Sequence, residues 1–333
     1  MDTLRNHLES LTFGNVEMFK NLTVFPLLSE VDSTLEYLTL SEALQHEAAR
    51  VVEVSAGGSV PELRFENAAE LPILILDGEE LVGAKQNRTV NLTILAPPGK
   101  TIVIPVSCVE AGRWRHESAE FAMSERHHYS RGRAKKAASV SCSMRSTGRR
   151  HADQQEVWAD ISAKACRMRS PSPTQALDAI FDRHRSSVES YVKAFKPLSS
   201  QVGAVFAIGN VIVGLDLFDR GATLAAMLSK LVRSYAIDAI ELDSDSEKRP
   251  EKKHAGEFLE HVIGADCESY PALGLGVDLR LSAEDLVGGG LAFEDRLVHL
   301  AAFAMEAEAE SGSDSRGMAR VYARRGSYSR RRR

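Results

Sequence analysis

The stretch Leu71–Trp114, LPILILDGEELVGAKQNRTVNLTILAPPGKTIVIPVSCVEAGRW, decides how the chain is read. Leu71 to Leu76 is continuously apolar, as expected of a strand buried on both faces. Asp77-Gly78 follows, and both residues tolerate positive φ, so the sequence predicts a hairpin with a return strand over 79–82. Gly83-Ala84 breaks that strand. Thr89 to Leu95 alternates polar and apolar side chains, Pro97-Pro98-Gly99-Lys100 is a turn, and Thr101 to Val106 is a further strand.

Outward on the N-terminal side, Asp2 to Phe19 reads as an amphipathic helix and Asn21 to Leu28 as a strand with Pro26 at an edge or bend. Leu35–Leu40, Ala49–Ser55 and Glu62–Asn67 are strand candidates, and Ser41 is the expected N-cap of a short helix. Residues 20–112 therefore form a mostly antiparallel β unit, a sandwich or barrel. On the other side the composition shifts. Residues 113 to 170 hold 13 Lys or Arg against 6 acids, with few large apolar side chains, and a mobile basic loop is expected over about 115–150.

Helices are predicted over Gln154–Met168, Ser172–Phe195, Leu224–Tyr235 and Phe258–Ile263. A hairpin turns at Gly209-Asn210 within 201–218, Asp243–His254 reads as a charged surface linker, and strands occur within 273–281 and 291–305. Gly288-Gly289-Gly290 reads as a loop. The whole is an α+β fold, its β-rich N-terminal half packed with a mixed helix and strand half over 151–306. It forms one domain of residues 1–306, followed by a Ser- and Arg-rich tail, 307–333, expected to be disordered.

The chain has 333 residues, 44% hydrophobic and 26% charged, with a net charge of -5, so no global field drives it to nucleic acid or an anionic membrane. Its N-terminus lacks an apolar signal core, and no run approaches the ~18 apolar residues that span a bilayer. Cys108, Cys142, Cys166 and Cys267 are widely spaced and form no CxxC pair, which argues against a zinc knuckle or a disulfide framework and for a reducing cytoplasm.

Seven polar residues, Asp77, Glu79, Glu80, Lys85, Gln86, Asn87 and Arg88, fall within 12 positions between apolar strands. Either they are solvated and paired with one another, or they emerge at a cleft. In the second case Lys85 and Arg88 suit a diphosphate, and Glu79 or Glu80, pointing to opposite faces of a strand, suits acid–base work. Gln86 and Asn87 suit the hydrogen-bonding edge of a ribose or base. Cys108, Glu110, Arg113 and Trp114 follow directly after a strand. Cys108 has no base or cation beside it in sequence and reads more simply as a small buried hydrophobe, and Trp114 is either a core anchor or a stacking platform.

Asp216 interrupts an apolar strand. It either faces solvent or joins Glu80 across the cleft as a second carboxylate. No HxH, HExxH, GxSxG, GxxxxGK[ST] or strand-flanked GxGxxG occurs, so no metal site is expected and no cofactor is identified. Two basic elements, the 113–150 segment (His127, His128, Arg131, Arg133, Lys135, Lys136, Arg145, Arg149, Arg150) and eight arginines from Arg316 onward, raise the alternative of a non-enzymatic module that docks RNA or a protein partner.

The motifs DGEELVGAKQNRTVN, IPVSCVEAGRW, QQEVWADI and FAIGNVIVGLDLF, in that order, resemble the bacterial domain family named for its association with ADP-ribosylglycohydrolases and with rhodanese/phosphatase-superfamily proteins. The resemblance runs from about Phe13 to Met305, the first two motifs being the specific ones, and leaves out the Arg-rich tail. It implies a role in binding or processing ADP-ribose or a related NAD-derived nucleotide. By match it carries over Asp77, Glu79, Glu80, Lys85, Gln86, Asn87 and Arg88, then Cys108, Glu110, Arg113 and Trp114, and more loosely Gln155, Trp158 and Asp216. The catalytic expectation falls on Glu79, Glu80 and Asp216, with the remaining residues of the first two motifs as ligand contacts.

Overall fold

The computed structural model describes residues 2–31, 33–55, 57–115, 117–242 and 250–305. The tail expected to be disordered and most of the charged linker lie outside the described residues.

The chain is an α+β fold built from antiparallel sheets, with a single parallel pair among the described residues, Leu38–Thr39 beside Ile73–Ile75. In the N-terminal half a curled six-stranded sheet runs in the order Phe121–His127, Glu79–Gly83, Arg88–Val90, Thr101–Cys108, Glu62–Asn67, Ala49–Glu53. A three-stranded sheet of Ile94–Ala96, Ile73–Ile75 and Leu38–Thr39 accompanies it. Leu63, Phe65, Ile73, Leu81, Val90, Ile104 and Phe121 pack between them, all buried. The period-2 alternation of the strands makes this possible, because one face of each delivers its apolar set to a shared interior.

The second half is a nine-stranded antiparallel sheet. It contains Leu22–Leu28 at the centre of an N-terminal corner with Thr12–Phe13 and Glu17–Phe19, then Gln201–Ile208, Val211–Phe218, Arg296–Ala304, Leu286–Phe293, Val277–Ala283 and Asp266–Pro271. The helix Gly221–Leu242 covers one face, where Leu224, Leu231 and Tyr235 meet Phe206, Phe218 and Phe303. The helices Asp2–Glu9 and Lys252–Gly264 cover the other through Leu4, Leu8, Phe258 and Val262. Leu74, Leu76 and Leu95 of the first half join the Gly221–Leu242 side, so the two halves share one core.

Several sequence expectations change. The predicted helix over 2–19 stops at Glu9, because Phe13 and Phe19 are recruited as strand residues against Leu22–Leu28. The short helix is capped by Thr39 rather than Ser41, in a capping box with Glu42. Asp77-Gly78 does turn the chain, but not as a hairpin: Ile73–Ile75 pairs with Ile94–Ala96, and Glu79–Gly83 pairs with Arg88–Val90. The turn passes the chain from one sheet to the other. Glycine is required at 78, where φ is +87° and a Cβ would lie 2.5 Å from the His127 ring. The expected 89–95 strand is likewise divided between the two sheets.

The largest correction is the mobile basic loop over 115–150. Residues Phe121–His127 form an edge strand against Glu79–Gly83, and Ser130–Thr147 form an 18-residue helix. Its few large apolar residues concealed the helix. Ala134, Ala137, Val140 and Met144 supply a narrow buried stripe, and Arg133 and Lys136 are buried among acids. The three glycines at 288–290 also lie inside a strand, where Cβ atoms on Gly288 and Gly290 would press within 2.8 Å of the neighbouring Ala301 and His299 carbonyls. The hairpin at Gly209-Asn210 forms as expected. Among the described residues no helix is long and apolar enough to cross a membrane.

Candidate functional site

The hairpin between Glu79–Gly83 and Arg88–Val90 turns through Ala84–Asn87. Gly83 and Ala84 both take positive φ, 123° and 40°, a conformation that alanine adopts only when its surroundings impose it. Arg113 imposes it. Its guanidinium, 5% exposed, donates to the Ala84 carbonyl at 3.0 Å, the Gly83 carbonyl at 3.4 Å and Asn87 Oδ1 at 2.9 Å. The Glu110 carboxylate holds Arg113 Nε at 2.7 Å and accepts the Asn87 N–H at 3.3 Å. Asn87, Glu110 and Arg113 therefore shape this turn.

What the turn presents is a cationic corner under Trp114. The indole is 48% exposed. Lys85 Nζ stands 5.3 Å from its ring and the Arg88 guanidinium carbon 5.7 Å, both within cation–π range. Lys85 Nζ also donates to the Gly57 carbonyl at 2.5 Å. Arg88 is fully buried and donates from Nη1 to Gln86 Oε1 at 2.8 Å, while its Nε and Nη2 meet no oxygen acceptor and the Cys108 thiol is the hydrogen-bonding group beside the guanidinium. Burial pulls its pKa below the usual guanidinium range, with the neighbouring Cys108 and Glu53 opposing. Gln86 is fixed in turn by the Glu110 carbonyl at 2.9 Å.

Asp77 and Asp216 belong to a different network. Asp216, fully buried, receives Arg133 through both terminal nitrogens at 2.6 and 3.1 Å and the Tyr235 hydroxyl at 2.9 Å. Burial alone would raise its carboxyl, yet Arg133 and His299 hold it below the ordinary range. Asp77 takes Arg133 Nε at 3.3 Å and Lys136 at 3.2 Å. Asp216 thus bridges to the Ser130–Thr147 helix: it does not face solvent, and it shares no hydrogen-bond or ion-pair partner with Glu80 among the described residues, the two alternatives the sequence left open. The paired-carboxylate expectation is not met in this geometry.

The two neighbouring glutamates also separate. Glu79 accepts the Leu76 N–H at 2.9 Å and pairs with Lys230 at 3.1 Å, securing the sheet-to-sheet turn. Glu80, with no exposed surface, accepts from the Ser124 hydroxyl at 2.9 Å and lies 3.9 Å from Arg126, and its Oε1 has no hydrogen-bond partner. Burial pushes its carboxyl up to about 7. Arg126 works against this, and Asp178 and Asp182 add to it. A groove of about 330 Å³ lined in part by Ser124, Arg126, Asp182 and Arg233 opens on this side. Glu80 stands opposite Thr89 in the ladder and Arg88 opposite Leu81, so Glu80 and Arg88 point to opposite faces of the sheet.

Comparison with known proteins gives one result. The sequence profile of the ARG and Rhodanese-Phosphatase-superfamily-associated Protein domain matches residues 10–303, which takes in every residue of the site. The chain belongs to this family. No curated protein and no solved structure matches it.

In this ARG and Rhodanese-Phosphatase-superfamily-associated Protein domain, Cys108 is buried, with burial raising its thiol pKa and Arg88 pulling the other way, and its peptide group is clasped by Gln154 at 2.8 Å on both sides. The basic residues of 115–150 are mostly engaged as well. Arg133 and Lys136 sit on Asp77, Lys135 on Asp160, Arg145 on Glu268 and Arg126 on Asp182. These five cations are each paired with an acid, and the Arg-rich tail lies outside the described residues. Among the described residues no group of three or more His, Cys, Asp or Glu is placed to hold a metal ion.

Sequence reasoning missed Glu53, Ser124, Arg126 and Asp178. Ser124 and Arg126 were hidden inside the segment read as a loop. Glu53 carried a signal: in Ala49–Glu53 the buried positions are Ala49, Val51 and Glu53, so an acid stands on the apolar face of an alternating strand.

Proposed function

We propose that the chain binds a nucleotide-ribose ligand such as ADP-ribose at the Trp114 corner. Arg88 and Lys85 hold the diphosphate, and the exposed indole stacks on the base or ribose face. The observation that carries this reading is Arg88. A guanidinium without exposed surface and with two nitrogens that meet no oxygen acceptor is costly to bury unless an anion completes it, and a planar fork suits phosphate oxygens bidentately. Trp114 adds a π-face next to those charges, the pairing that nucleotide sites use. The family's association with ARG proteins, read as ADP-ribosylglycohydrolases, supports the choice of ADP-ribose.

Processing of the ligand rests on Glu80, whose raised pKa suits a general acid or base near neutral pH. Its position on the opposite sheet face from Arg88 makes binding the better supported function. The test is thermal unfolding with ADP-ribose. A ligand at 100 times its Kd adds about 2.7 kcal/mol of stability, and the melting shift should vanish in the Lys85→Ala, Arg88→Ala double variant. No shift with ADP-ribose or NAD would remove the reading.

A further inference from the structure

Glu80 and Arg88 point to opposite faces of the sheet, so the groove beside Glu80 is a second place, apart from the Trp114 corner. The edge strand Phe121–His127 is irregular there. Met123 pairs with Leu81 and His127 with Glu79, so Ser124, Glu125 and Arg126 all stand opposite the single residue Glu80. Bulges of this kind re-aim side chains and recur beside active sites. Here both Ser124 and Arg126 line the groove. The Ser124 hydroxyl donates to Glu80 Oε2 at 2.9 Å and accepts the Arg126 N–H at 3.0 Å, which holds its oxygen in place with its proton on the carboxylate. One hydroxyl therefore connects a fully buried carboxyl to the groove. Glu80 Oε1 has no hydrogen-bond partner. A purely structural pair would complete both oxygens, as Asp216 is completed. The Arg126 guanidinium is anchored at one end, Nη2 on Asp182 at 2.6 Å. Its Nη1 stands 3.9 Å from Glu80 and 3.8 Å from Asp178, too far to hydrogen-bond to either.

We propose that Ser124 is a nucleophile for carboxylic esters, with Glu80 as its base and Arg126 as the cation that meets the oxyanion. A nucleophile, a base within hydrogen-bond reach and a fixed cation at one cavity wall are the parts that acyl transfer requires. Ser124 Oγ bonds to the ester carbon as its proton passes to Glu80. The bond from that carbon to the alcohol oxygen then breaks, and the alcohol leaves with the proton. Water attacks the acyl-serine, Glu80 takes the proton of the water and returns it to Ser124 Oγ, and a carboxylic acid is released. Burial, which pushes the Glu80 carboxyl up to about 7, makes it a base matched to neutral pH. The groove, about 330 Å³, has room for a small substrate, and Phe181 and Val188 give it an apolar wall, so a short acyl chain is the fitting class. This activity goes beyond the nucleotide reading and does not depend on it.

The test treats the full chain with a fluorophosphonate probe, maps the adduct by peptide mass spectrometry, and follows hydrolysis of p-nitrophenyl acetate and butyrate. Wild type should carry one adduct, on Ser124, and should hydrolyse the esters. Ser124→Ala should lose both while keeping the melting shift with ADP-ribose. Glu80→Gln should be labelled about a hundredfold more slowly or worse, the loss expected when a general base is removed. Labelling of wild type should rise with pH through about 7 as Glu80 ionises against the charges that face it, Arg126, Asp178 and Asp182. That rise should be absent in Glu80→Gln, a readout that a merely structural Glu80 would not move. An adduct on another residue, or none, in folded wild-type protein overturns the proposal without any variant being needed. Labelling of Glu80→Gln at the wild-type rate overturns it as well. A missing ADP-ribose shift with Ser124 labelled removes the nucleotide reading and leaves this one standing.

Discussion

Two clusters of buried charge both draw on the 77–88 stretch and differ in how they are partnered. Around Arg133, each oxygen of Asp216 accepts a hydrogen bond, Arg133 reaches a second acid in Asp77, and Lys136 closes the group onto the Val90 carbonyl. Around Arg88, one nitrogen is bonded to Gln86, two meet no oxygen acceptor, and the nearby Glu53 carboxylate is bonded to nothing. The first cluster joins the Ser130–Thr147 helix to Asp77 and Asp216, and most of its polar groups are bonded within it, Asp77 Oδ1 meeting Lys136 as an ion pair at 3.2 Å. The second sits beneath an exposed tryptophan, and under the proposed function a bound diphosphate would complete it. Both hold buried charge, and the proposed function rests on the difference in how the two are partnered.

The sharpest way to break this comparison is to remove one acid from the completed cluster. Asp216→Ala leaves Arg133 fully buried with only Asp77 as partner, and should cost about 3–5 kcal/mol in urea unfolding. Arg88→Met, equally buried, should cost less than about 1 kcal/mol, or stabilise, because the group it removes was not fully satisfied. The same variant should abolish the ADP-ribose melting shift. Equal destabilisation by the two substitutions would mean that the Arg88 nitrogens without an oxygen acceptor do not matter, and the contrast would be lost.

Glu80 gives the next largest effect, and it is a pH effect. Its carboxyl titrates near 7 in the folded chain against 4.5 ordinarily, so between those values the native state holds a proton that the unfolded chain has released. The contribution is therefore full below about pH 4.5 and is lost as pH rises through about 7, by up to about 3 kcal/mol at 1.36 kcal/mol per pKa unit. Glu80→Gln should be more stable than wild type above pH 7, with the difference shrinking toward pH 5. The native profile also falls at the acid end, because Asp216 is held below the ordinary carboxylate range and His127 and His128 are held neutral by burial. Measuring the difference between variant and wild type across pH 5–8 isolates Glu80 from both. A difference that does not change with pH would mean Glu80 does not carry the raised pKa.

How far the sequence led depends on which signal was available. The α+β class and the antiparallel strands were legible because alternation and turn residues are local. The pairing was not, because Asp77-Gly78 has the composition of a hairpin turn whether the flanking strands pair with each other or, as here, with distant partners Ile94–Ala96 and Arg88–Val90. The Ser130–Thr147 helix was illegible for a related reason. Its buried face carries Arg133 and Lys136, whose cost is offset by Asp77 and Asp216 from elsewhere in the chain. The polar residues of 77–88, read from the sequence as one group, divide: Asn87 joins Arg113 and Glu110, Asp77 the Arg133 cluster, Glu79 Lys230, Glu80 Ser124 and Arg126, and Lys85, Gln86 and Arg88 the Trp114 corner. That division follows from which sheet face each residue occupies, and neighbours in a strand face opposite ways.

The smallest expected effect, and the most selective, belongs to Trp114. Its indole is half exposed and packs against charges rather than apolar neighbours, so Trp114→Ala should leave stability within about 0.5 kcal/mol. Binding of ADP-ribose should weaken by about 1–2 kcal/mol, roughly tenfold or somewhat more, if the ring stacks on the base or sugar. Trp114→Phe, which keeps a π-face of smaller area, should fall between the two. The comparison with pyrophosphate then assigns the loss. A stacking role costs ADP-ribose affinity alone, since pyrophosphate has no planar group to lose. If the indole instead serves only to hold Lys85 and Arg88 in place through their cation–π contacts, both ligands weaken together, and the corner would be a diphosphate site with no preference for what the diphosphate carries.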